Sequence, residues 1–119
     1  MCVAIAQPAG SRTLTEDELL NGWIGNPDGG GFAFINEAGV IEDHHFMEFD
    51  EFALNYLAAH QTNGATSAFL VHMRIATTGS VCLRNTHPFK VCDDTFMIHN
   101  GMISGYKQNS KDRASCFCF

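Results

Sequence analysis

Two short apolar runs, each followed by polar residues and glycine, place the strongest constraint on how this chain folds. Residues 69–71 form an aromatic and β-branched run that ends shortly before Arg74. Residues 96–98 form the second run, and Asn100-Gly101 lies just beyond it. Such runs are typical of buried strands. Because a rigid sheet positions the side chains and backbone amides at its strand ends, this pattern predicts a pocket there.

Each of these residues also has a simpler interpretation. Arg74 is compatible with a surface cation whose methylene stem lies over the core. Asn100-Gly101 is a common signal for a two-residue hairpin turn, and Thr77 is compatible with an ordinary loop. The residue that favours a functional site is Cys2, which directly follows the initiator methionine.

Cys2 becomes the N-terminal residue once Met1 is removed, which is usual when the second residue is small. Its thiol and its α-amino group then belong to the same residue. An α-amine has a reference pKa of about 8, so it can accept the thiol proton near neutral pH and pass it to a leaving group. A threonine hydroxyl paired with its own N-terminal amine uses the same chemistry, and a thiolate is the stronger nucleophile. Cys2 is therefore a candidate catalytic nucleophile.

With Cys2 included, a set of short motifs resembles the class II glutamine amidotransferases, which belong to the N-terminal nucleophile hydrolases. The motifs occur in the order of that family and at roughly its spacing. They are Met1-Cys2, Asn26-Pro27-Asp28-Gly29-Gly30-Gly31, His72-Met73-Arg74-Ile75-Ala76-Thr77-Thr78-Gly79, Asn85-Thr86-His87-Pro88-Phe89 and His99-Asn100-Gly101. We treat residues 1–119 as one domain, and the resemblance is strongest over residues 1–108.

The resemblance implies a mechanism and a role for each site residue. Cys2 would attack the side-chain amide of glutamine, form a γ-glutamyl thioester and release ammonia, and hydrolysis would then give glutamate. The Asn100 side chain and the Gly101 backbone N–H would form the oxyanion hole. Arg74 would bind the substrate α-carboxylate, and Thr77 would donate a hydrogen bond beside it.

The resemblance also implies an α+β fold, a four-layer αββα sandwich in which two sheets pack between helices. The recognisable elements supply the start of both sheets, so we expect the sandwich to be incomplete at the C-terminus. Family members usually hold the substrate amino group with an acidic residue in a Ser-Asp-Thr-like context, and residues 112–116 offer no clean match. Residues 115–119 resemble a terminal strand, and an uncovered edge there predicts self-association.

Two alternatives to a glutamine-hydrolysing enzyme stay open. One is an inactive or truncated interaction module that keeps the fold without the chemistry. The other is an N-terminal nucleophile amidase acting on another amide, which Arg74 and Thr77 disfavour because they supply a clamp for an amino-acid carboxylate. The family chemistry requires no histidine base, so we expect packed or hydrogen-bonded roles for His87 and His99.

The composition limits the classes of partner. The formal net charge is −6, and the seven Lys and Arg residues are scattered, which argues against nucleic acid as a partner. No apolar run approaches the ~20 residues of a membrane span, and no signal peptide is evident, so we expect a cytoplasmic protein. Glutamine is the expected small-molecule partner. Whether a separate synthase subunit receives the ammonia is left open.

The cysteines predict neither disulfides nor a metal site. Five cysteines are an odd number, and no secretory signal accompanies them. Cys116 and Cys118 with Cys82 and Cys92 give spacings that differ from the tighter pairs of structural zinc sites. We therefore expect no metal and no cofactor.

Local patterns predict the remaining elements. Thr15 begins a capping-box pattern that predicts a short helix, and Asp50 is the predicted N-cap of a second helix running to about His60. Residues 36–39 predict a hairpin turn between two strands. Residues 29–31 are three glycines, which near a pocket let the backbone approach a ligand.

Overall fold

The computed structural model describes residues 1–101 and shows a mixed α+β arrangement over that range. The helices and strands follow one another as β1 Val3–Gln7, α1 Glu16–Gly25, β2 Gly30–Ile35, β3 Ile41–Phe46, α2 Phe49–Asn63, β4 Phe69–Met73, β5 Phe89–Cys92 and β6 Thr95–Met97. A 3₁₀ turn spans Leu83–Asn85, between β4 and β5. The predicted α+β class is confirmed for this part of the chain, whereas the complete four-layer sandwich remains an expectation.

The capping box predicted for α1 is present. The Thr15 side chain accepts a hydrogen bond from the Glu18 backbone N–H at 3.2 Å, and the Glu18 carboxylate accepts one from the Thr15 N–H at 2.9 Å. Two amide hydrogens that the helix itself cannot satisfy are thus paired at its start. Leu19 and Trp23 are the buried residues of α1, and they define the face of the helix that packs on the core.

The prediction that Asp50 caps α2 is wrong. The helix begins at Phe49 after Glu48, which makes no side-chain capping hydrogen bond, and it ends at Asn63. Phe49 packs against Trp23 with 5.8 Å between ring centroids. The start of the helix is therefore held by tertiary packing and not by a side-chain cap. Asp50 instead lies in the first turn, where a negative charge favours the helix dipole.

The four longer strands form one antiparallel sheet in the order β1-β4-β2-β3. The predicted hairpin joins β2 to β3 through residues 36–39. β4 lies between β1 and β2, although 61 residues separate the end of β1 at Gln7 from the start of β4 at Phe69. Val3 pairs with Met73, so the chain's N-terminus lies beside the residues that follow β4.

One face of this sheet packs against both helices. Side chains alternate between the two faces along a strand, and the residues facing the helices are large and apolar. This core is a single cluster of buried residues that joins the sheet to both helices: Leu19, Trp23, Phe32, Phe34, Phe52, Ala53, Tyr56, Phe69, Val71 and Met73. Burying that many aromatic rings gives the sheet a rigid support.

The opposite face carries smaller and polar residues and is covered by the chain after β4. β5 and β6 form a separate two-stranded sheet, and Phe96 lines a cavity of about 250 Å³ together with Ala33 and Leu70 of the first sheet. The segment between β4 and β5 crosses the same face close to Gly31. A Cβ atom at Gly31 would lie well under 3.0 Å from the backbone oxygens of His87 and His44.

Replacing Gly31 with alanine is expected to lower the free energy of unfolding by roughly 1–3 kcal/mol, the usual cost of overpacking. The obstruction is backbone on both sides, so no side-chain rotation relieves it. Urea denaturation measures the change, and Gly25→Ala is the matched control because a Cβ there meets nothing within 4 Å. Equal stability of the two variants would contradict the close approach of the residue 87 backbone.

Some predicted features lie outside the described residues. They are the terminal strand at 115–119, the zinc candidates Cys116 and Cys118, and residues 112–116, which offer no clean match to the family's acidic residue. Among residues 1–101, neither helix has the length and hydropathy of a membrane-spanning segment.

Candidate active site

Cys2 lies at the end of the sheet, directly before β1 and beside the residue that follows Arg74. The Ile75 backbone N–H donates to the Cys2 sulfur at 3.3 Å, and the same sulfur lies 3.5 Å from the Ile75 carbonyl oxygen. The pairing of β1 with β4 brings these positions together across 73 residues of sequence. The sulfur therefore has a backbone donor on one side and a backbone acceptor on the other.

Asn100 and Gly101 return to the same place. The Asn100 side-chain nitrogen donates to the Cys2 carbonyl oxygen at 2.7 Å, although 98 residues separate the two in sequence. Gly101 has a φ of +93°, a conformation that favours glycine, and it lines a cavity with Cys2. The two ends of the described chain therefore meet at Cys2.

The cavity at Cys2 has a volume of about 60 Å³. Its lining includes four of the five predicted site residues, and Asn100 contacts the backbone of Cys2 beside it. The complete lining is Met1, Cys2, Arg74, Ile75, Thr77, Thr78 and Gly101. The space is small beside the ~300–1,000 Å³ of most ligand pockets, and Met1 is one of the groups that bound it.

Arg74 is buried, with only 2% of its surface exposed, so its interpretation as a surface cation is wrong. Its guanidinium donates to the carbonyl oxygens of Thr78 at 3.0 Å and Ser80 at 3.1 Å. The loop after β4 thus surrounds the Arg74 guanidinium. A guanidinium carries five N–H donors in a planar fork, so these two contacts leave further donor capacity beside the cavity.

The glycine-rich segment before β2 holds the strand end that carries Arg74. The Asp28 carboxylate accepts a hydrogen bond from the Ala76 backbone N–H at 2.8 Å, and the Asp28 N–H donates to the Arg74 carbonyl at 2.9 Å. The Arg74 N–H in turn donates to the Gly29 carbonyl at 2.8 Å. These bonds flank Ile75 on both sides and so fix the amide that faces the Cys2 sulfur.

The expectation that the three glycines let the backbone approach a ligand needs correction. A Cβ at Gly29 would meet the Thr86 side chain, and one at Gly31 would meet the His87 backbone. The space beside both glycines is therefore filled by the protein's own segment after β4. Gly29 also has a φ of +107°, which other residues rarely adopt.

Two buried imidazoles lie beneath the covering segment. His72 and His87 have ring centroids 4.0 Å apart, and His87 also packs against Phe89 at 4.2 Å. Burial is the main reason why the pKa of His72 falls to about 4 and that of His87 to about 3, and the nearby Arg74 cation contributes to both values. Both rings are neutral at neutral pH, and His87 has the packed role that we expected from the sequence.

Sequence reasoning missed two contributors to this site. Asp28 and Asn85 belong to the family motifs without an assigned role, yet each is hydrogen-bonded to the chain around Arg74. The Ile75 amide gave no signal at all, because a backbone donor has no side chain to identify it. Within the described range 1–101, no cluster of three or more His, Cys, Asp or Glu side chains is arranged to hold a metal ion.

Comparison with known proteins identifies the family of this chain. The model of the class II glutamine amidotransferases matches residues 24–116, a range that begins after Cys2. A glutamine–fructose-6-phosphate aminotransferase (isomerizing) of Bacillus licheniformis is 35% identical over 86 residues, which are 71% of this chain and 14% of that relative. This chain therefore aligns with only a small part of the relative's length. No solved structure matches. Since the family match covers most of the chain, this protein belongs to the class II glutamine amidotransferases.

Proposed function

We propose that this domain hydrolyses the side-chain amide of glutamine through a thioester on Cys2 and releases ammonia for transfer to an acceptor. The observation that carries the proposal is the convergence of Cys2, Arg74, Thr77 and Gly101 on one cavity, with Asn100 bonded to the Cys2 backbone. A nucleophile, a carboxylate-binding cation and amide donors then surround one space. That combination suits a substrate with an α-carboxylate at one end and an amide at the other.

The reaction begins with removal of Met1, which frees the α-amine of Cys2. This amine takes the thiol proton, and the sulfur attacks the amide carbon of glutamine to give a tetrahedral intermediate. The carbon–nitrogen bond breaks as the ammonium of Cys2 returns the proton to the leaving nitrogen, and ammonia departs. Water activated by the same amine then attacks the thioester, so glutamate leaves and the thiol is restored.

The backbone around Cys2 supports the charged states of this reaction. The Ile75 N–H, 3.3 Å from the sulfur, would keep the sulfur in place before attack. The oxyanion of the intermediate would be bound by the side-chain amide of Asn100 and the N–H of Gly101. Because a side-chain amide carries two N–H donors, Asn100 can keep its bond to the Cys2 carbonyl while it donates to the oxyanion. Removing one such donor commonly costs ~10²–10³ in kcat.

Removal of Met1 would also create room for the substrate. Met1 lines the 60 Å³ cavity while 97% of its own surface is exposed to solvent. The bond between Met1 and Cys2 is thus accessible, and its cleavage would open the wall of the cavity beside the nucleophile. One processing step would then supply both the base and the space.

The name of the similar aminotransferase pairs glutamine with fructose-6-phosphate, and that protein is much longer than this chain. We propose that the ammonia produced here passes to a separate synthase domain or subunit.

A glutaminase assay on the purified chain tests the proposal. Glutamate and ammonia should appear in equal amounts, and intact-mass measurement should show a chain that lacks Met1. During turnover, acid quenching should trap a chain carrying one γ-glutamyl group. Absence of hydrolysis in a folded chain without Met1 would contradict the proposal and favour an inactive interaction module.

Arg74→Lys is expected to raise the KM for glutamine by about tenfold or more, with a smaller change in kcat. A compact ammonium cannot reproduce the planar fork that pairs with a carboxylate, and the two loop carbonyls would compete for its donors. Steady-state kinetics of glutamate release measures the split. Lys90→Arg is the control, because Lys90 lies in β5 with half of its side chain exposed and a partner in Asp93. Unchanged kinetics in Arg74→Lys would remove the arginine from the substrate site.

A further inference from the structure

Asn85 lies behind the loop that surrounds Arg74. Its side chain is completely buried, in the 3₁₀ turn Leu83–Asn85, and its side-chain nitrogen donates to the Ser80 carbonyl oxygen at 2.8 Å. The same nitrogen lies 3.3 Å from the Ser80 hydroxyl oxygen. Since a carbonyl oxygen can only accept, the nitrogen end of the amide is the end that must face Ser80.

The Ser80 carbonyl is shared between Asn85 and Arg74. The Arg74 guanidinium donates to this oxygen at 3.1 Å, while Asn85 donates to it at 2.8 Å. A carbonyl oxygen has two lone pairs and so can accept both bonds. Ser80 itself is exposed, as are the residues just before it, so the loop has few packing contacts to hold it in place. Asn85 is the buried group that fixes the Ser80 carbonyl oxygen, which accepts the hydrogen bond from Arg74.

The turn that carries Asn85 is tied to the first sheet. The Thr86 hydroxyl donates to the Leu83 carbonyl at 2.7 Å and lies 2.8 Å from a ring nitrogen of His45 in β3. The Asn85 N–H donates to the Cys82 carbonyl at 3.1 Å. Hydrogen bonds therefore tie the turn to β3 at Thr86, and the neighbouring Asn85 ties the turn to Ser80, whose carbonyl also accepts from the Arg74 guanidinium.

We propose that Asn85 is a positioning residue that sets the place of the Arg74 guanidinium and thereby the selectivity for substrates bearing an α-carboxylate. This proposal rests on the proposed function, in which Arg74 binds that carboxylate. Without the Asn85 donor, the Ser80 carbonyl loses its bond to a buried side chain, and the position of the guanidinium then depends on the exposed loop. The amide end of the substrate, at Cys2, does not depend on this network.

The test compares glutamine with glutaminol, in which a hydroxymethyl group replaces the α-carboxylate. In Asn85→Ala, the KM for glutamine should rise about tenfold while kcat changes less than about twofold, and kcat/KM for glutaminol should stay close to that of the unmodified chain. The preference for glutamine over glutaminol therefore falls. A merely structural defect would lower the rates with both substrates in proportion.

Two further variants keep the test decisive. Asn85→Asp is nearly isosteric but cannot donate to Ser80, and it should give the same loss of preference if Asn85→Ala folds poorly. Asn63→Ala is the matched control, since it also removes one side-chain amide donor, to the Ala59 carbonyl at the end of α2. It should leave the preference unchanged.

Binding of L-glutamate, followed by calorimetry, separates this proposal from the proposed function. If the chain does not hydrolyse glutamine but binds glutamate about tenfold more weakly in the Asn85 variants, the function is wrong and the positioning role stands. If hydrolysis occurs and the Asn85 variants keep their preference for glutamine, the positioning role is wrong and the function stands. If the unmodified chain neither hydrolyses glutamine nor binds glutamate, both are overturned.

Discussion

Cys2→Ala is expected to reduce glutamine hydrolysis by a factor of at least ~10³, because the covalent route through the thioester is lost with the nucleophile. The change should leave the fold intact, since Cys2 precedes β1 and is only half-buried. The measurement is the rate of glutamate release, with circular dichroism as the check on folding.

Cys92→Ala is the matched control for this loss. Cys92 is also a free cysteine, but it is exposed in β5, and its thiol donates to the Asp94 carboxylate at 3.3 Å. Its replacement should change the rate less than about twofold. Equal activity of Cys2→Ala and the unmodified chain would exclude the thioester mechanism, and a comparable loss in Cys92→Ala would mean that the assay reports stability instead.

A chain whose Cys2 nitrogen stays in a peptide bond is expected to lose activity by roughly 10²–10⁴, the usual contribution of a positioned general base. The form to test carries an N-terminal tag that a protease can remove to leave Cys2 as the first residue. Before cleavage, the amide nitrogen cannot accept the thiol proton and the preceding residue bounds the cavity, as Met1 does in the structure. After cleavage, activity should appear.

The pH dependence of the cleaved chain gives a second measure of the same base. The rate should rise with pH as the α-amine loses its proton, around its reference pKa of about 8. Deprotonation of His72 or His87 cannot cause this rise in rate near pH 8, since burial holds the pKa of each well below neutrality, at about 4 and about 3. Full activity in the tagged chain would contradict the role of the α-amine and point to a different base.

The same two histidines add an acid limit to stability. Each has a folded-state pKa below its ordinary value of about 6.5, so the neutral form is the one the fold favours. At pH values above that ordinary value, protonation has no effect in either state. As the pH falls through the range between about 6.5 and the folded-state values, the unfolded chain binds protons that the folded chain does not, and stability declines. His87 belongs to the segment that covers the second face of the sheet, so its protonation disfavours the packing of that segment.

Several local features of this protein were determined by the sequence alone. The capping box at Thr15, the hairpin between β2 and β3, and the strand at 69–71 depend on neighbouring residues, and each is where the pattern predicts it. The start of α2 is the local prediction that failed, because the packing of Phe49 against Trp23 outweighs the cap preference of Asp50. The family resemblance also depends on the sequence alone, because it rests on the order of short motifs along the chain.

The tertiary structure alone decided how those motifs act on one another. Arg74 is buried, Asp28 fixes the amide beside the Cys2 sulfur, and Asn85 shares a carbonyl with Arg74. These contacts join segments that the sheet and its covering loop bring together. No periodicity or propensity encodes such a bond, because its partners are set by strand order and register and not by neighbours in sequence. The residue types at this site are readable from the chain, whereas their distances exist only once β4 lies between β1 and β2.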